Sequence, residues 1–567
     1  MQKQIIELFR SYRWNELYEE VKNVRYDSKL SLRSQHSLAI KAMLLVAWWS
    51  DNITSKEILK LYPPLITDFF THFCVTYAYM CLGDKQKMKW YLSKIPKNSP
   101  KWMRSYLDIE YFGRSLQFEK QMKLVRKLTP ANQYPQDYIK VALLQSLEHD
   151  QADISYLQRY IQEIKLTQDT DPLSMALCLR AGMIDIDTID SKVSPLLLAR
   201  KANYLLRTKK VLDSLKSYDA LANTKFLDIN TINQWLAVAI SLPQAKEYFL
   251  QRADFALSLV PNSLFVQGTV SSYALIFSYL QGDYKTAYNI VQKYHNYKEL
   301  PKTKFTKNAQ IFFNYILNLC VFWQHNRSLY IKASDNLKLS VFGESHSLSL
   351  SNINFKLNYN NFNANSNFIM GIKMYHLANT DSSYHANCLK EHIKFIQPNS
   401  NLLFTIGEID ARPDEGIWQV HLEKGKDVDT IINDTVNGYI DFLADNLKDK
   451  LLSVTIQGIP APNYALEGDK DPKDEKGFLS MIKIVNDKLK ELTLEKGWYF
   501  LDVYSATLGD EGKSNKKWHI DGYHLSPLFY VEEADKWLVK PKIQAEPKSQ
   551  TIDFSKYTAV SLNKPRQ

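Results

Sequence analysis

The first residues that could do chemistry lie in the segment VFGESHSL, residues 341–348. An apolar run ends at Gly343, and Ser345 follows at a predicted strand-to-helix turn. A serine hydroxyl becomes a good nucleophile when a base takes its proton, and the backbone N–H groups of such a turn can stabilise an oxyanion. Capping of the following helix by Ser345 is the alternative interpretation of this pattern.

A second segment, WHIDGYHLSP at residues 518–527, carries Asp521 and His524 in a predicted loop after the last strand. The carboxylate can accept a hydrogen bond from one ring nitrogen and leave the other nitrogen to take the proton of Ser345. A surface hydrogen bond or metal ligation could use the same two side chains, although the sequence offers no convincing further ligands.

The order of Ser345 after the first predicted strand and of Asp521 and His524 after the last resembles the SGNH hydrolase family, also called the GDSL family. Gly371 in FIMGIKMYHLAN and Gly407 in FTIGEIDAR are similar to two further family blocks. The resemblance implies a catalytic triad of Ser345, His524 and Asp521 that needs no metal or organic cofactor. It also implies an oxyanion hole that contains the N–H groups of Ser345 and Gly371.

The resemblance spans residues 337–539 and has two departures. Asp410 stands where the family has the Asn of its oxyanion hole, and Glu344 stands where the first block has Asp. An ionised Asp410 would repel an oxyanion, so it must be protonated, neutralised by a partner such as Arg412, or replaced by another donor. Arg412 can pair with Glu408 or Asp410, either in a polar pocket or as a purely structural ion pair. His346 is a further pocket candidate.

These residues need a scaffold of strands and helices. Apolar runs predict strands at 337–342, 367–370, 402–406, 451–459 and 498–504, and helical patterns lie between them at 382–396, 428–447 and 476–495. This alternation predicts an α/β domain with a mainly parallel sheet, which the resemblance makes a three-layer SGNH-like domain over residues 337–540. The Asn-rich segment 357–368 favours a surface loop.

Residues 1–330 show apolar residues at three- and four-residue steps, which is typical of amphipathic helices. Two segments place an aromatic-rich helix before a Gly-Asp turn, at Gly83–Asp84 and Gly282–Asp283. Gly can end the first helix in a left-handed conformation, and Asp can cap the next. These segments resemble tetratricopeptide repeats, which implies an α-helical solenoid able to bind a protein partner. Residues 541–567 lack a clear period and predict a C-terminal tail.

Composition limits the remaining possibilities. The chain has 567 residues, 45% of them hydrophobic, with 18 Gly and 20 Pro, which excludes collagen-like and mainly disordered proteins. The net charge of +10 is spread over 71 basic and 61 acidic residues, so we expect no nucleic-acid partner. Five cysteines without a CxxC pair favour reduced thiols. No apolar run approaches the roughly 20 residues of a transmembrane helix, and no signal peptide is apparent, so we expect a cytoplasmic protein.

The leading hypothesis is a serine esterase that removes acyl groups, such as acetyl, from a carbohydrate or a similar polar ester. If a sugar hydroxyl replaces water in the second step, the same residues make an O-acyltransferase that acts on a polysaccharide. A hypothesis of another class is an interaction protein, in which the helical repeats bind a partner and the α/β domain is catalytically silent.

Overall fold

The computed structural model describes most of the chain from residue 195 to residue 541. The described residues are 195–208, 210–223, 229–259, 264–293, 304–331, 335–379, 384–448, 450, 452–467 and 470–541, with one helix and scattered positions between 75 and 178. The Gly83–Asp84 turn, residues 1–74 and all but the first residue of the predicted tail lie outside them.

The described residues of the N-terminal part lie in helices and in the turns between them. Its helices are α1 (Lys85–Lys94), α2 (Pro195–Arg207), α3 (Val211–Asn223), α4 (Ile229–Ile240), α5 (Phe249–Leu259), α6 (Leu264–Leu280), α7 (Tyr284–Lys293) and α8 (Lys304–His325), with short 3-10 helices at Pro243–Tyr248 and Arg327–Tyr330.

The predicted turn at Gly282–Asp283 is confirmed. Gly282 follows α6 with φ +77°, a left-handed conformation that favours glycine. The Asp283 carboxylate then accepts a hydrogen bond from the backbone N–H of Thr286 at 3.1 Å, in the first turn of α7. This contact caps the second helix as the sequence predicts.

The C-terminal part contains a seven-stranded, mainly parallel sheet. Its strands are β1 (Leu337–Gly343), β2 (Asn354–Leu357), β3 (Asn360–Phe368), β4 (Asn401–Thr405), β5 (Ser453–Gln457), β6 (Tyr499–Leu501) and β7 (Leu538–Val539). The spatial order is β2-β3-β1-β4-β5-β6-β7. The five central strands are parallel, whereas β2 and β7 pair antiparallel at the edges. The predicted α/β character is therefore confirmed.

Helices connect these strands. They are α9 (Met374–Ala378), α10 (Tyr384–Lys394), α11 (Ile417–Lys424), α12 (Val428–Leu447), α13 (Glu475–Glu495), α14 (Val503–Thr507) and α15 (Pro527–Glu532), with 3-10 turns at Ser345–Leu350, Ile409–Ala411 and Asp510–Gly512. The bounds of α12 coincide with its sequence pattern, and α10 and α13 lie within two residues of theirs at each end.

The sheet is buried on both faces. Phe342 of β1 belongs to a large hydrophobic core that also contains residues of α2 to α8. Leu339 and Val341 point to a second core, which contains Phe529 and Tyr530 of α15. At the boundary between helices and sheet, the Phe312 ring of α8 meets the Phe368 ring of β3 edge to face, with centroids 6.1 Å apart. The N-terminal helices and the sheet thus share one core.

The prediction of a surface loop at 357–368 is wrong for most of that segment, which forms β3. Asparagine is unfavourable in strands, but the residues between the asparagines alternate with a period of two. Phe362, Ala364, Ser366 and Phe368 are buried, and the Asn side chains between them are exposed or partly exposed. The whole of β1 pairs in parallel with residues 362–368 of β3, and this pairing fixes the register of β3.

Among the described residues, no helix is both long and apolar enough to cross a membrane. Cys178, Cys320 and Cys388 are buried thiols, while Cys74 and Cys81 lie outside the described part of the chain.

Gly343 allows the ends of β1 and β4 to approach each other. A Cβ atom there would lie 2.1 Å from Oγ1 of Thr405 and 3.2 Å from its carbonyl oxygen. We expect Gly343→Ala to lower the free energy of unfolding by about 1–3 kcal/mol, because overpacking must displace β4. Urea unfolding measures this loss, and adding Thr405→Ala should restore part of it.

Gly522→Ala is the matched control, because its Cβ would meet only Tyr464 Cβ at 3.9 Å, an ordinary contact. A Gly343→Ala variant as stable as this control would contradict the close approach of the two strands.

Candidate active site

The candidate site lies at the carboxyl ends of β1 and β4. The last residue of β1, Gly343, is paired with the last residue of β4, Thr405. After β1 the chain forms β3 on one side of β1, and it later forms β4 on the opposite side of β1. The neighbouring ends of β1 and β4 are therefore the switch point of the parallel sheet. Ligands of open α/β sheets bind in the crevice at such a point. Ser345 follows β1 there, and Glu408 and Asp410 follow β4.

The structure brings the side chains of Ser345, His524 and Asp521 together. Nε2 of His524 lies 2.8 Å from Oγ of Ser345, and Nδ1 lies 2.8 Å from Oδ2 of Asp521. Because a carboxylate only accepts, Nδ1 carries the proton that points to Asp521, and Nε2 of the neutral ring can accept the serine proton. The three side chains form one hydrogen-bonded chain.

Backbone groups hold Asp521 in place. Its Oδ1 accepts hydrogen bonds from the backbone N–H groups of Tyr523 at 2.8 Å and His524 at 2.7 Å. Burial would raise the pKa of the Asp521 carboxyl, but the charge of His524 and the hydrogen bonds from its ring and its backbone N–H outweigh burial and lower that pKa. Asp521 is therefore ionised at neutral pH and can stabilise a positive charge on His524.

Ser345 does not cap the turn that it begins. Glu344 is the N-cap of the 3-10 turn, and its carboxylate accepts the backbone N–H of His346. The hydroxyl of Ser345 contacts His524 on one side and Oε2 of Glu344 on the other. The alternative interpretation of Ser345 as a helix cap is therefore wrong: its hydroxyl donates to Glu344, and its oxygen also lies within hydrogen-bond distance of His524.

Glu344 and His346 form a buried ion pair beside the serine. Nδ1 of His346 lies 2.7 Å from the Glu344 carboxylate, and Nε2 lies 3.1 Å from the carbonyl oxygen of Tyr523. Both partners are acceptors, so both ring nitrogens carry protons and the imidazole is cationic. Each side chain of the pair is 1% exposed.

The ion pair shifts the pKa of both side chains. Burial would raise the pKa of Glu344, but His346 and the hydrogen bonds from His346 and Ser345 lower it to about 2. Burial would likewise lower the pKa of His346, but the Glu344 carboxylate raises it. A permanent carboxylate thus competes with His524 for the single proton of the Ser345 hydroxyl.

Asp410 holds the start of α9. Its Oδ2 accepts the N–H of Met374 at 2.7 Å, and its Oδ1 accepts the N–H of Tyr375 at 3.1 Å. Burial raises its pKa to about 6, and these backbone hydrogen bonds oppose the rise. Gly371 lies in the turn just before α9, with φ +67°. The contacts of Asp410 therefore favour a role in fixing the segment that carries Gly371 over direct contact with an oxyanion.

Arg412 pairs with Glu408, one of the two partners that the sequence allows. Nε lies 3.0 Å from both carboxylate oxygens, and Nη2 lies 2.6 Å from Oε2. The guanidinium carbon also lies 4.8 Å from the ring centroid of Tyr523. Through Tyr523, this ion pair contacts the loop that carries Asp521 and His524.

Next to this ion pair lies a small open pocket. Tyr464 and Tyr523 stack with ring centroids 5.1 Å apart, and Nζ of Lys470 lies 3.9 Å from the Tyr523 centroid. Asn463 donates a hydrogen bond to the carbonyl oxygen of Asp521 at 2.8 Å. The lining residues come from the segments after β4 and β5, from α13 and from the loop of Asp521: Glu408, Ala411, Ile459, Pro460, Ala461, Pro462, Asn463, Tyr464, Ile482, Gly522 and Tyr523.

Two residues of α8 reach the site and were not predicted. The ring of Tyr315 stacks on the ring of His524, with centroids 3.7 Å apart and an angle of 11° between planes. Asn318 donates a hydrogen bond to the carbonyl oxygen of Ile520 at 3.4 Å. Both lie within an ordinary amphipathic helical pattern, so the sequence gives no signal that separates them from core residues. Asn463 was missed for a similar reason, because a lone loop Asn is common.

No three His, Cys, Asp or Glu residues in the described part of the chain cluster in a way that could hold a metal ion. No protein-family model matches the chain, and no curated protein matches it significantly.

The first prediction from this site concerns the ion pair. The pKa of Glu344 lies below its unfolded value of 4.5, so its stabilisation is full above pH 4.5 and is lost as pH falls towards about 2. The pKa of His346 lies above its unfolded value of 6.5, so its stabilisation is full below pH 6.5 and is lost as pH rises through the raised value.

A double-mutant cycle of Glu344→Gln and His346→Gln, followed by urea unfolding, should give a coupling of about 1–3 kcal/mol. The coupling should be largest between pH 4.5 and 6.5, and smaller at both acid and alkaline pH. A coupling that does not change with pH would show that the pair is not ionic.

The second prediction concerns Asp410. Asp410→Asn should lower the free energy of unfolding by about 1–3 kcal/mol at pH 7, because the amide NH2 would face one of the two N–H donors. It should not accelerate any reaction at Ser345. Asp427→Asn is the control, because Asp427 caps α12 at an exposed position, where Asn caps equally well. Faster turnover by Asp410→Asn would instead place this side chain at the oxyanion.

Proposed function

We propose that the chain is a serine esterase of SGNH type that acts on a polar acyl ester. The hydrogen-bonded chain from Asp521 through His524 to Ser345 carries this proposal. It joins residues 179 positions apart in sequence, and it lies at the switch point of a parallel sheet. A nucleophile, a base and an orienting carboxylate within hydrogen-bond reach are the components of covalent acyl transfer.

In the first step, Oγ of Ser345 attacks the ester carbonyl carbon while Nε2 of His524 takes the hydroxyl proton. The tetrahedral intermediate collapses when the ester C–O bond breaks, and His524 returns its proton to the departing alcohol. Water then attacks the acyl-serine with the same base, and the acid leaves as Ser345 recovers its proton. Asp521 stabilises the imidazolium in both steps.

The oxyanion would bind the backbone N–H groups of Ser345 and Gly371. Both residues follow the paired ends of β1 and β3, where Gly343 lies opposite Phe368. Asp410 would hold the Gly371 segment in place, since its carboxylate accepts hydrogen bonds from the first two N–H groups of α9. The missing Asn of the family pattern therefore does not remove the two backbone donors.

Glu344 would hold the serine hydroxyl in the resting state. Its carboxylate and His524 both contact Oγ, but the hydroxyl has one proton to give. Attack requires the rotamer of the hydroxyl hydrogen that points to His524. The ion pair with His346 weakens Glu344 as a base, because it keeps the pKa of that carboxyl near 2.

The pocket supports a polar substrate such as an acylated carbohydrate. Its lining combines the rings of Tyr464 and Tyr523 with the polar side chains of Asn463 and Glu408, a mixture that suits a ligand with both apolar and hydroxyl-bearing surfaces. If a sugar held there supplies the second-step nucleophile, the same residues transfer the acyl group to its hydroxyl. O-acyl transfer is the second candidate function for this reason.

We propose further that the α/β domain has an SGNH-like fold and that the N-terminal helices form a tetratricopeptide-like solenoid. The central strand order β3-β1-β4-β5-β6 corresponds to 2-1-3-4-5, a doubly wound α/β order, which supports an SGNH-like domain. The capped turn at Gly282–Asp283 supports tetratricopeptide-like pairing of the helices. A partner protein on these helices is part of the same proposal.

The test is intact-mass measurement after treatment with a fluorophosphonate. The wild type should gain one adduct, Ser345→Ala and His524→Ala should gain none, and Asp521→Asn should react about 10³-fold or more slowly. Ser347→Ala is the matched control, because its buried hydroxyl lies in the same turn and contacts the Glu344 carbonyl, so its labelling should persist. A folded wild type that does not react would favour a silent domain.

A further inference from the structure

Helix α8 contacts the base of the candidate triad directly. Tyr315 lies in the middle of α8 and is fully buried. Its ring lies flat against the imidazole of His524, with centroids 3.7 Å apart. Asp521 fixes His524 from the edge of the ring, through Nδ1, whereas Tyr315 covers one face. Together, the two contacts restrict both the direction and the tilt of the imidazole.

The hydroxyl of Tyr315 is tied to both halves of the site. Its single hydrogen is shared between two acceptors, the carbonyl oxygen of Ser345 at 3.1 Å and Oγ of Ser349 at 2.7 Å. The Ser349 hydroxyl donates in turn to the carbonyl oxygen of Leu525, the residue after His524. Tyr315 therefore links the backbone of the nucleophile to the backbone of the base.

A second contact from α8 supports the same loop. Asn318, one turn after Tyr315, donates to the carbonyl oxygen of Ile520. The backbone N–H of Ile520 donates to the carbonyl oxygen of His524 at 2.9 Å, which closes the loop that carries Asp521. One helix thus holds the imidazole face and the loop backbone.

We propose that Tyr315 is a positioning residue for His524, so that the N-terminal helices form part of the reaction site. The inference rests on the proposed function of Ser345 and His524. Reacting groups that move by about 1 Å can lose a factor of about 10² in rate. The stacked ring keeps Nε2 aligned with Oγ of Ser345, and a side chain without a flat face would not.

The test compares Tyr315→Leu, Tyr315→Phe and wild type in the full chain. With a fluorophosphonate, Tyr315→Leu should lower the maximal labelling rate about 10- to 100-fold, while the probe concentration for half-maximal rate changes little. Tyr315→Phe keeps the stacked ring and should restore the rate to within about 5-fold of wild type. Tyr218→Leu is the control, because Tyr218 is also fully buried but lies in α3 and bonds to Asn203 and Gln234.

A spectroscopic readout separates this inference from the proposed function. The proton between His524 Nδ1 and Asp521 should give a downfield proton NMR signal in the wild type and in Tyr315→Phe, and the signal should be lost or broadened in Tyr315→Leu. A wild type that shows this signal but does not react with the probe would contradict the proposed function alone.

Wild-type labelling and an unchanged NMR signal in Tyr315→Leu would overturn the positioning role. Equal losses in Tyr315→Leu and Tyr218→Leu would overturn it as well, because they would indicate general destabilisation. Should Tyr315→Leu not fold, Asn318→Ala removes the second contact of α8 and should slow labelling about 3- to 10-fold by loosening the same loop. If Asn318→Ala is labelled as fast as the wild type, that result contradicts the proposal.

Discussion

A closed circuit of buried and partly buried hydrogen bonds holds the site together. Hydrogen bonds link Asp521 to His524, His524 to Ser345, Ser345 to Glu344, and Glu344 to His346. His346 contacts the carbonyl oxygen of Tyr523, and the backbone N–H of Tyr523 donates to Asp521, which closes the ring. Groups buried in this way destabilise the fold unless each one has a partner. The circuit therefore fixes the segment after β1 against the segment before α15, and the rest of the architecture has to supply that geometry.

Two features of the architecture meet this requirement. Gly343 allows β1 and β4 to approach closely, so that the turns following them converge at one edge of the sheet. Helix α8 then packs against the other side of the circuit through Tyr315. Since α8 also shares its hydrophobic core with β3, its position is set by burial of apolar surface. The geometry of the candidate site therefore depends on both parts of the chain.

The sequence was sufficient for the parts of the site that follow from chain order and residue type. Ser345, Asp521 and His524 each followed a predicted strand, and parallel strands bring their carboxyl ends to one edge. The partners of Glu344 and Asp410 were not predictable, because they depend on distances between loops. β3 was missed because its asparagines hide a period of two, and Tyr315 was missed because a buried helical tyrosine has no distinguishing pattern.

The central claim is that Ser345 is a nucleophile activated by His524. Peptide mapping by tandem mass spectrometry, after fluorophosphonate treatment of the folded chain, tests it most directly. We expect a single phosphonylated peptide that contains residues 341–350, with the adduct on Ser345. An adduct on another residue, or no adduct on a chain shown to be folded, would contradict it.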